Sequence, residues 1–158
     1  MSDSEPDHEP VTKHTQLIAW QLCRDLRRLV LKHTRRGQVA REYDYRSQLR
    51  RAARSACYLT SEGFYRYRRR EFSNYLDWAR ASLGEVLDQL DEGAEEQYFT
   101  PEDSLAMRRL CLRAIKCNRA LKHSWGNRPA PGTEDKKARK ERPPSTAQLR
   151  RGARRKAP

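Results

Sequence analysis

The chain has 158 residues, of which 36% are apolar and 35% charged, with a net charge of +13, so one domain with a modest core and a basic surface is expected. No run of about 18 apolar residues exists, which excludes a membrane-spanning helix, and four cysteines are too few for a disulfide scaffold. The acidic start (Asp3, Glu5, Asp7, Glu9) lacks the apolar stretch of a signal peptide, so the chain reads as cytoplasmic with reduced thiols.

The charge is unevenly placed. Residues 24–70 carry 15 Lys/Arg against four acids, and residues 71–106 carry ten acids against one Arg. Residues 107–125 carry six Lys/Arg and no acid. One acidic segment therefore lies between two basic ones.

In chain order, residues 1–13 read as a disordered acidic arm. Leu22, Leu26, Leu29 and Val30 then recur at i, i+4, i+7 and i+8, which predicts a helix over about 15–35. Gly37 stands where it should stop. Asp44 is the expected cap of a second helix, whose Tyr45, Leu49, Ala52, Ala53 and Ala56 share a face. Gly63 ends or interrupts it. A third stripe runs through Phe72, Tyr75, Leu76, Ala79, Leu83, Val86, Leu87 and Leu90. Gly84 inside it suggests close helix packing, and Gly93 a C-cap. Thr100 caps the fourth helix, with Pro101 first and Asp103 third. Met107, Leu110, Ala114, Cys117 and Leu121 form its seam, and Gly126 ends it. Residues 126–158 read as a disordered basic tail, holding five of the eight prolines and ending in RRGARRK.

Four helices joined by short links imply an all-α, antiparallel up-and-down four-helix bundle over 14–125. Its chemistry lies in its arginines. Arg46, Arg50 and Arg54 recur every four residues, with Arg51 beside them, and Arg24, Arg28 and Arg35 form a similar line on the first helix. Such stripes fit phosphate oxygens. They also fit pairing with the acids of 71–106, or plain solvation. The run FYRYRRREF adds Arg66, Arg68, Arg69 and Arg70 between aromatics, as single-strand binders do. Its alternative reading has Phe64, Tyr65 and Phe72 plugging the bundle end. Glu62 is expected as a buried carboxylate paired with Arg51 or Arg66.

Nothing points to catalysis. Cys23, Cys57, Cys111 and Cys117 have no Cys-x-x-Cys spacing, and no His completes a zinc pattern. Cys23, Cys57 and Cys117 fit as core thiols. His33 and His123 sit near helix C-termini as capping or solvated groups. No Glu-x-x-His pair, phosphate loop or dinucleotide loop occurs. No metal, no cofactor and no enzyme activity are expected.

The segments LIAWQLCRDL (17–26), QLRRAARSACYLTSEGFYR (48–66) and EFSNYLDWARASLGEVLDQL (71–90) resemble the four-helix bundle proteins encoded in 23S rRNA intervening sequences. The accessory variability proteins of diversity-generating retroelements share that fold. Cys57 and Leu59 stand where such proteins usually carry Pro and Asn, and Ala81 where they carry Gly. The resemblance implies a homopentamer and a non-enzymatic role that favours RNA over DNA. Together these readings give an oligomeric nucleic-acid-binding protein. Arg46, Arg50, Arg51, Arg54, Arg66, Arg68, Arg69 and Arg70 would contact the phosphate backbone of RNA or DNA. The alternative is an adaptor that docks a larger enzyme such as a reverse transcriptase.

Overall fold

The computed structural model describes residues 10–66 and 68–126, apart from the side chain of Arg69. Four helices make the fold: α1 (Ile18–His33), α2 (Tyr43–Tyr65), α3 (Arg69–Glu95) and α4 (Pro101–Gly126). Short 3-10 turns at His14–Gln16 and Gln38–Ala40 complete it, and no strand occurs among the described residues. Each helix packs against two others, in the ring α1, α2, α3, α4 and back to α1. The expected tail over 126–158 lies outside the described residues, Gly126 excepted, as do residues 1–9 of the arm. Val11 packs against the end of the bundle, and Gln16 Oε1 accepts hydrogen bonds from the Thr12 and Lys13 amides at 2.9 Å.

The core follows the apolar stripes. Cys23, Leu26 and Val30 of α1 meet Leu49, Ala52, Ala53 and Ala56 of α2, with Leu83, Val86 and Leu90 of α3 and Met107 and Ala114 of α4. Burying one such Leu stabilises the fold by about 1.5–3 kcal/mol. The three alanines let α1 and α3 approach α2 closely. A second cluster, Leu17, Phe72 and Leu76, closes one end with Phe64, Leu121 and Trp125 against it.

Cross-helix contacts set the registers. Tyr45 near the start of α2 donates its hydroxyl to Gln89 O near the end of α3, at 2.5 Å. The end of α2 meets the start of α3, where a Cβ on Gly63 would fall 2.9 Å from Phe72 Cδ2. Between α3 and α4, Asp91 pairs with Arg108, Cys111 Sγ donates to Leu83 O at 3.2 Å, and Lys122 reaches Asp77 at 2.5 Å.

Several local expectations change. Asp44 lies within the first turn of α2, after the N-cap Glu42, because the helix begins at Tyr43. Gly63 lies inside α2 and admits Tyr75 rather than breaking the helix. Gly84 has nothing within 4 Å of a Cβ, so it serves no close packing. Gly93 lies inside α3, and there the approach is close, with Tyr45 and Phe99 against it. The inward line of α4 is Met107, Cys111, Ala114 and Asn118, with Leu110, Cys117 and Leu121 flanking it. Cys111 therefore takes the core place expected for Cys117, which is half-buried. The expected cap does form, with the Asp103 amide donating to Thr100 Oγ1 at 3.1 Å.

Candidate nucleic-acid interface

α1 ends at Thr34, whose hydroxyl donates to Val30 O at 2.8 Å. Gly37, with φ of +72°, lets the chain turn toward α2. The turn lays the basic side chains of α1 beside those of α2. Arg50 crosses the seam. Its Nε donates to Thr34 Oγ1 at 2.7 Å and its Nη2 to Thr34 O at 2.8 Å. A guanidinium thus ties down the end of α1 at the buried Thr34, where helix carbonyls lack partners within the helix.

Three depressions adjoin along this seam. A groove of about 290 Å³ on α2 is lined by Tyr43, Arg46, Ser47, Arg50, Arg51 and Arg54. A cleft of about 160 Å³ shares Arg50 and Arg54 with it and adds Arg27, Arg28 and Leu31 of α1. A pocket of about 650 Å³ shares Arg28 and Leu31 with the cleft. It continues over Lys32, Arg35 and Arg36 to Tyr98, Phe99 and Thr100 ahead of α4. The three form one trough with nine Lys/Arg side chains in its walls and one carboxylate, Asp103.

Little among the described residues neutralises the trough. Among the described residues, Arg27, Lys32, Arg35, Arg36, Arg46, Arg50, Arg51 and Arg54 form no ion pair. Arg28 stands 3.9 Å from Asp25, and Asp103 is taken by His33 Nδ1 at 3.2 Å. Partial burial, then the Arg46 and Arg35 charges, lowers the pKa of Arg50 below its ordinary value. The acids of α3 could have answered this charge. Instead Asp91 pairs with Arg108 and Asp77 with Lys122, both on α4, and Asp77 also with Arg80 at 3.1 Å.

The eight predicted arginines fall into two places. Arg46, Arg50, Arg51 and Arg54 share the groove. Arg66, Arg68 and Arg70 lie at the other end of α2, about 18 Å further along its axis from Arg54 to Arg66. Arg66 is engaged there, with Nη2 on Glu62 at 2.9 Å and its guanidinium 5.3 Å from the Tyr75 ring centroid. Arg68 stands 3.8 Å from Glu71, and Arg70 is exposed. Glu62 pairs with Arg66 as expected, but it is exposed rather than buried. The Arg66 and Tyr75 hydrogen bonds hold its carboxyl below the usual range. Phe64 and Phe72 plug the bundle end, whereas Tyr65 stays exposed with its hydroxyl 3.0 Å from His14 Nδ1. Arg24 of the α1 line pairs with Asp25 at 2.9 Å and is not part of the trough.

The family model of the 23S rRNA-intervening sequence protein matches residues 15–119. The chain belongs to this family. No curated protein matches the sequence. The intervening-sequence match takes in α1 to α3 and most of α4, so every wall residue of the trough lies inside it. In this member of the family, sequence reasoning missed Arg27, Lys32 and Arg36. A signal was present for Lys32, which follows Arg28 by four residues and so shares its helical face, whereas Arg36 lies beyond the end of α1. Which neighbour that face adjoins was not readable from spacing.

Among the described residues no group of His, Cys, Asp or Glu is arranged to hold a metal ion. No described helix is long and apolar enough to cross a membrane.

Proposed function

We propose that the trough between α1 and α2 binds the phosphate backbone of a polynucleotide, with RNA favoured through the family. The observation that carries this is the charge left unanswered among the described residues: eight of the nine Lys/Arg side chains in the walls form no ion pair, and the one carboxylate there, Asp103, is paired with His33. Arg46 and Arg54, two turns of α2 apart, present planar donors that suit phosphate oxygens. Arg66, Arg68 and Arg70 form a secondary patch, with Arg66 partly committed to Glu62; the side chain of Arg69 lies outside the described residues. A homo-oligomer, the state that the resemblance implies, would present several troughs to one strand and gain avidity.

The test is a salt titration of RNA and duplex-DNA binding by the full chain. Neutralising about six duplex phosphates gives a slope of log K against log salt near −5. Reversing Arg46 and Arg54 to Glu is expected to make that slope shallower by about two. A slope that does not move would place binding elsewhere, on the RRGARRK segment first. If binding is absent altogether, the trough becomes a surface for an acidic protein partner, as the adaptor reading holds.

A further inference from the structure

The 650 Å³ pocket is unlike the rest of the trough. The groove and the cleft are smaller and lined mostly by arginine, while the pocket falls within the roughly 300–1,000 Å³ range of small-ligand sites. It is also two-sided. Arg28, Lys32, Arg35 and Arg36 stand on its α1 side, and Tyr98 and Phe99 on the other. The two aromatic residues are half-buried and backed by Tyr45, whose ring centroid lies 4.8 Å from that of Tyr98 and 6.4 Å from that of Phe99. A base can lie against such a wall, since aromatic faces accept any base.

The carboxylates around the pocket orient what could enter. Asp103 is held by His33, and burial, then the charges of Glu42, Glu96 and Glu92, raises the Tyr98 hydroxyl above its ordinary pKa. A phosphate is therefore repelled from the Tyr98 side and drawn to the α1 side. The link from α3 to α4 supplies the pocket's other wall. An internal phosphodiester carries one negative charge, whereas a terminal phosphomonoester carries about −1.5 to −2 at neutral pH. Four cations around one pocket match the second better.

We infer that this pocket takes a nucleotide bearing a terminal phosphate, with the phosphate on Arg28, Lys32, Arg35 and Arg36 and the base on Tyr98 and Phe99. The inference deepens the polynucleotide reading, on which its strand-end form rests. The same chemistry has two sources: the phosphorylated end of a strand in the trough, or a free nucleoside monophosphate.

The experiment uses the full chain and one short single-stranded RNA with hydroxyl ends, a 5′-phosphate or a 3′-phosphate, measured by fluorescence anisotropy at fixed salt. A nucleoside monophosphate is measured separately by calorimetry. Phosphate at one end is expected to tighten binding about ten-fold. The double variant Arg35→Ser with Arg36→Ser is expected to bring that ratio to about one. Both residues are exposed and make no hydrogen bond or ion pair among the described residues, so the bundle should fold. Arg46→Ser with Arg54→Ser, at the other end of the trough, is expected to weaken all the strands and keep the ratio. Monophosphate binding that Arg35→Ser and Arg36→Ser abolish, without an end effect on strands, assigns the pocket to a free nucleotide. A ratio of one together with no monophosphate binding overturns the inference. Steep salt dependence of the hydroxyl-ended strand would then leave the trough reading intact. Should that strand not bind at all, the trough reading falls and the monophosphate alone decides the pocket.

Discussion

A Cβ placed on Gly93 would fall 2.7 Å from Phe99 Cε2 and overlap Tyr45 Oη, whereas one placed on Gly84 meets nothing within 4 Å. The two glycines of α3 therefore predict opposite results. Gly93→Ala should destabilise the fold by about 1–3 kcal/mol through overpacking. Gly84→Ala should stabilise it by up to about 1 kcal/mol through helix propensity. Urea denaturation midpoints check both, and a neutral Gly93→Ala would refute the close approach. Asn118 makes a second case at this scale. It is fully buried on α4, and neither amide atom has a partner among the described residues. An unpaired buried amide costs about 1–3 kcal/mol, so Asn118→Leu is expected to raise the midpoint. A clear fall would show that the amide is bonded in solution. The thiols rank by exposure as well. Cys23, Cys57 and Cys111 are buried, so alkylation of the native chain should modify Cys117 first. Peptide mapping after partial labelling reads the order.

At the scale of an element, α1 is ended by a residue that lies 16 positions further along the chain. Arg50 gives its Nε and Nη2 to Thr34, so it is a structural clamp as well as a wall of the trough. Hydrogen bonds to charged groups contribute about 1.5–3 kcal/mol, and Arg50→Met should lose that much stability. Arg51→Met, exposed and unpaired among the described residues, should stay within about 0.5 kcal/mol. Thermal melts distinguish the two. Equal losses would show that the clamp does not hold α1. For the same reason, binding is better probed through Arg46, Arg51 and Arg54 than through Arg50. The start of α4 follows a simpler rule, since Thr100, Pro101 and Asp103 are all local. The charge of α3 follows a tertiary one. Two of its acids, Asp77 and Asp91, reach α4, where half-buried or exposed pairs such as Asp77 with Lys122 add about 1 kcal/mol each at most.

At the scale of the whole molecule, the buried acids of the core set an alkaline limit. Burial, helped by the neighbouring thiols, pushes Cys23 from 9.0 up to about 12. Burial pushes Cys111 to about 12 as well, against an opposing Arg108. Tyr45 is also raised, by burial and then by Glu92 and Tyr98. The unfolded chain releases the thiol protons near pH 9 and the phenol proton near pH 10, while the folded chain keeps them. Stability is therefore complete below about pH 9 and falls as pH rises toward 12, each thiol steepening the slope by up to about 1.4 kcal/mol per pH unit. Cys23→Ala should make the slope shallower. Urea titrations across that range test the sign, and a pH-independent midpoint would contradict it.

Much of this protein was legible without coordinates. The apolar stripes repeat every three to four residues, a property of one helix at a time, so Leu26, Leu49, Leu83 and Met107 could be assigned to a core from spacing alone. The fourth helix could be started at Pro101 because its cap, Thr100, Pro101 and Asp103, is made within four consecutive positions. The arginine stripe of α2 was legible for the same reason. What adjoins that stripe was not. Whether the acids of 71–106 cover it or turn to α4 depends on which faces of two helices meet, and spacing within either helix carries no such information. Only the tertiary structure placed Arg28, Lys32 and Arg36 beside it, tied Arg50 to Thr34, and brought Tyr98 and Phe99 across from another link to close a pocket. Periodicity along the chain determined the four helices and their buried faces. Packing between them decided where the unpaired charge collects, because that depends on contacts between residues far apart in sequence.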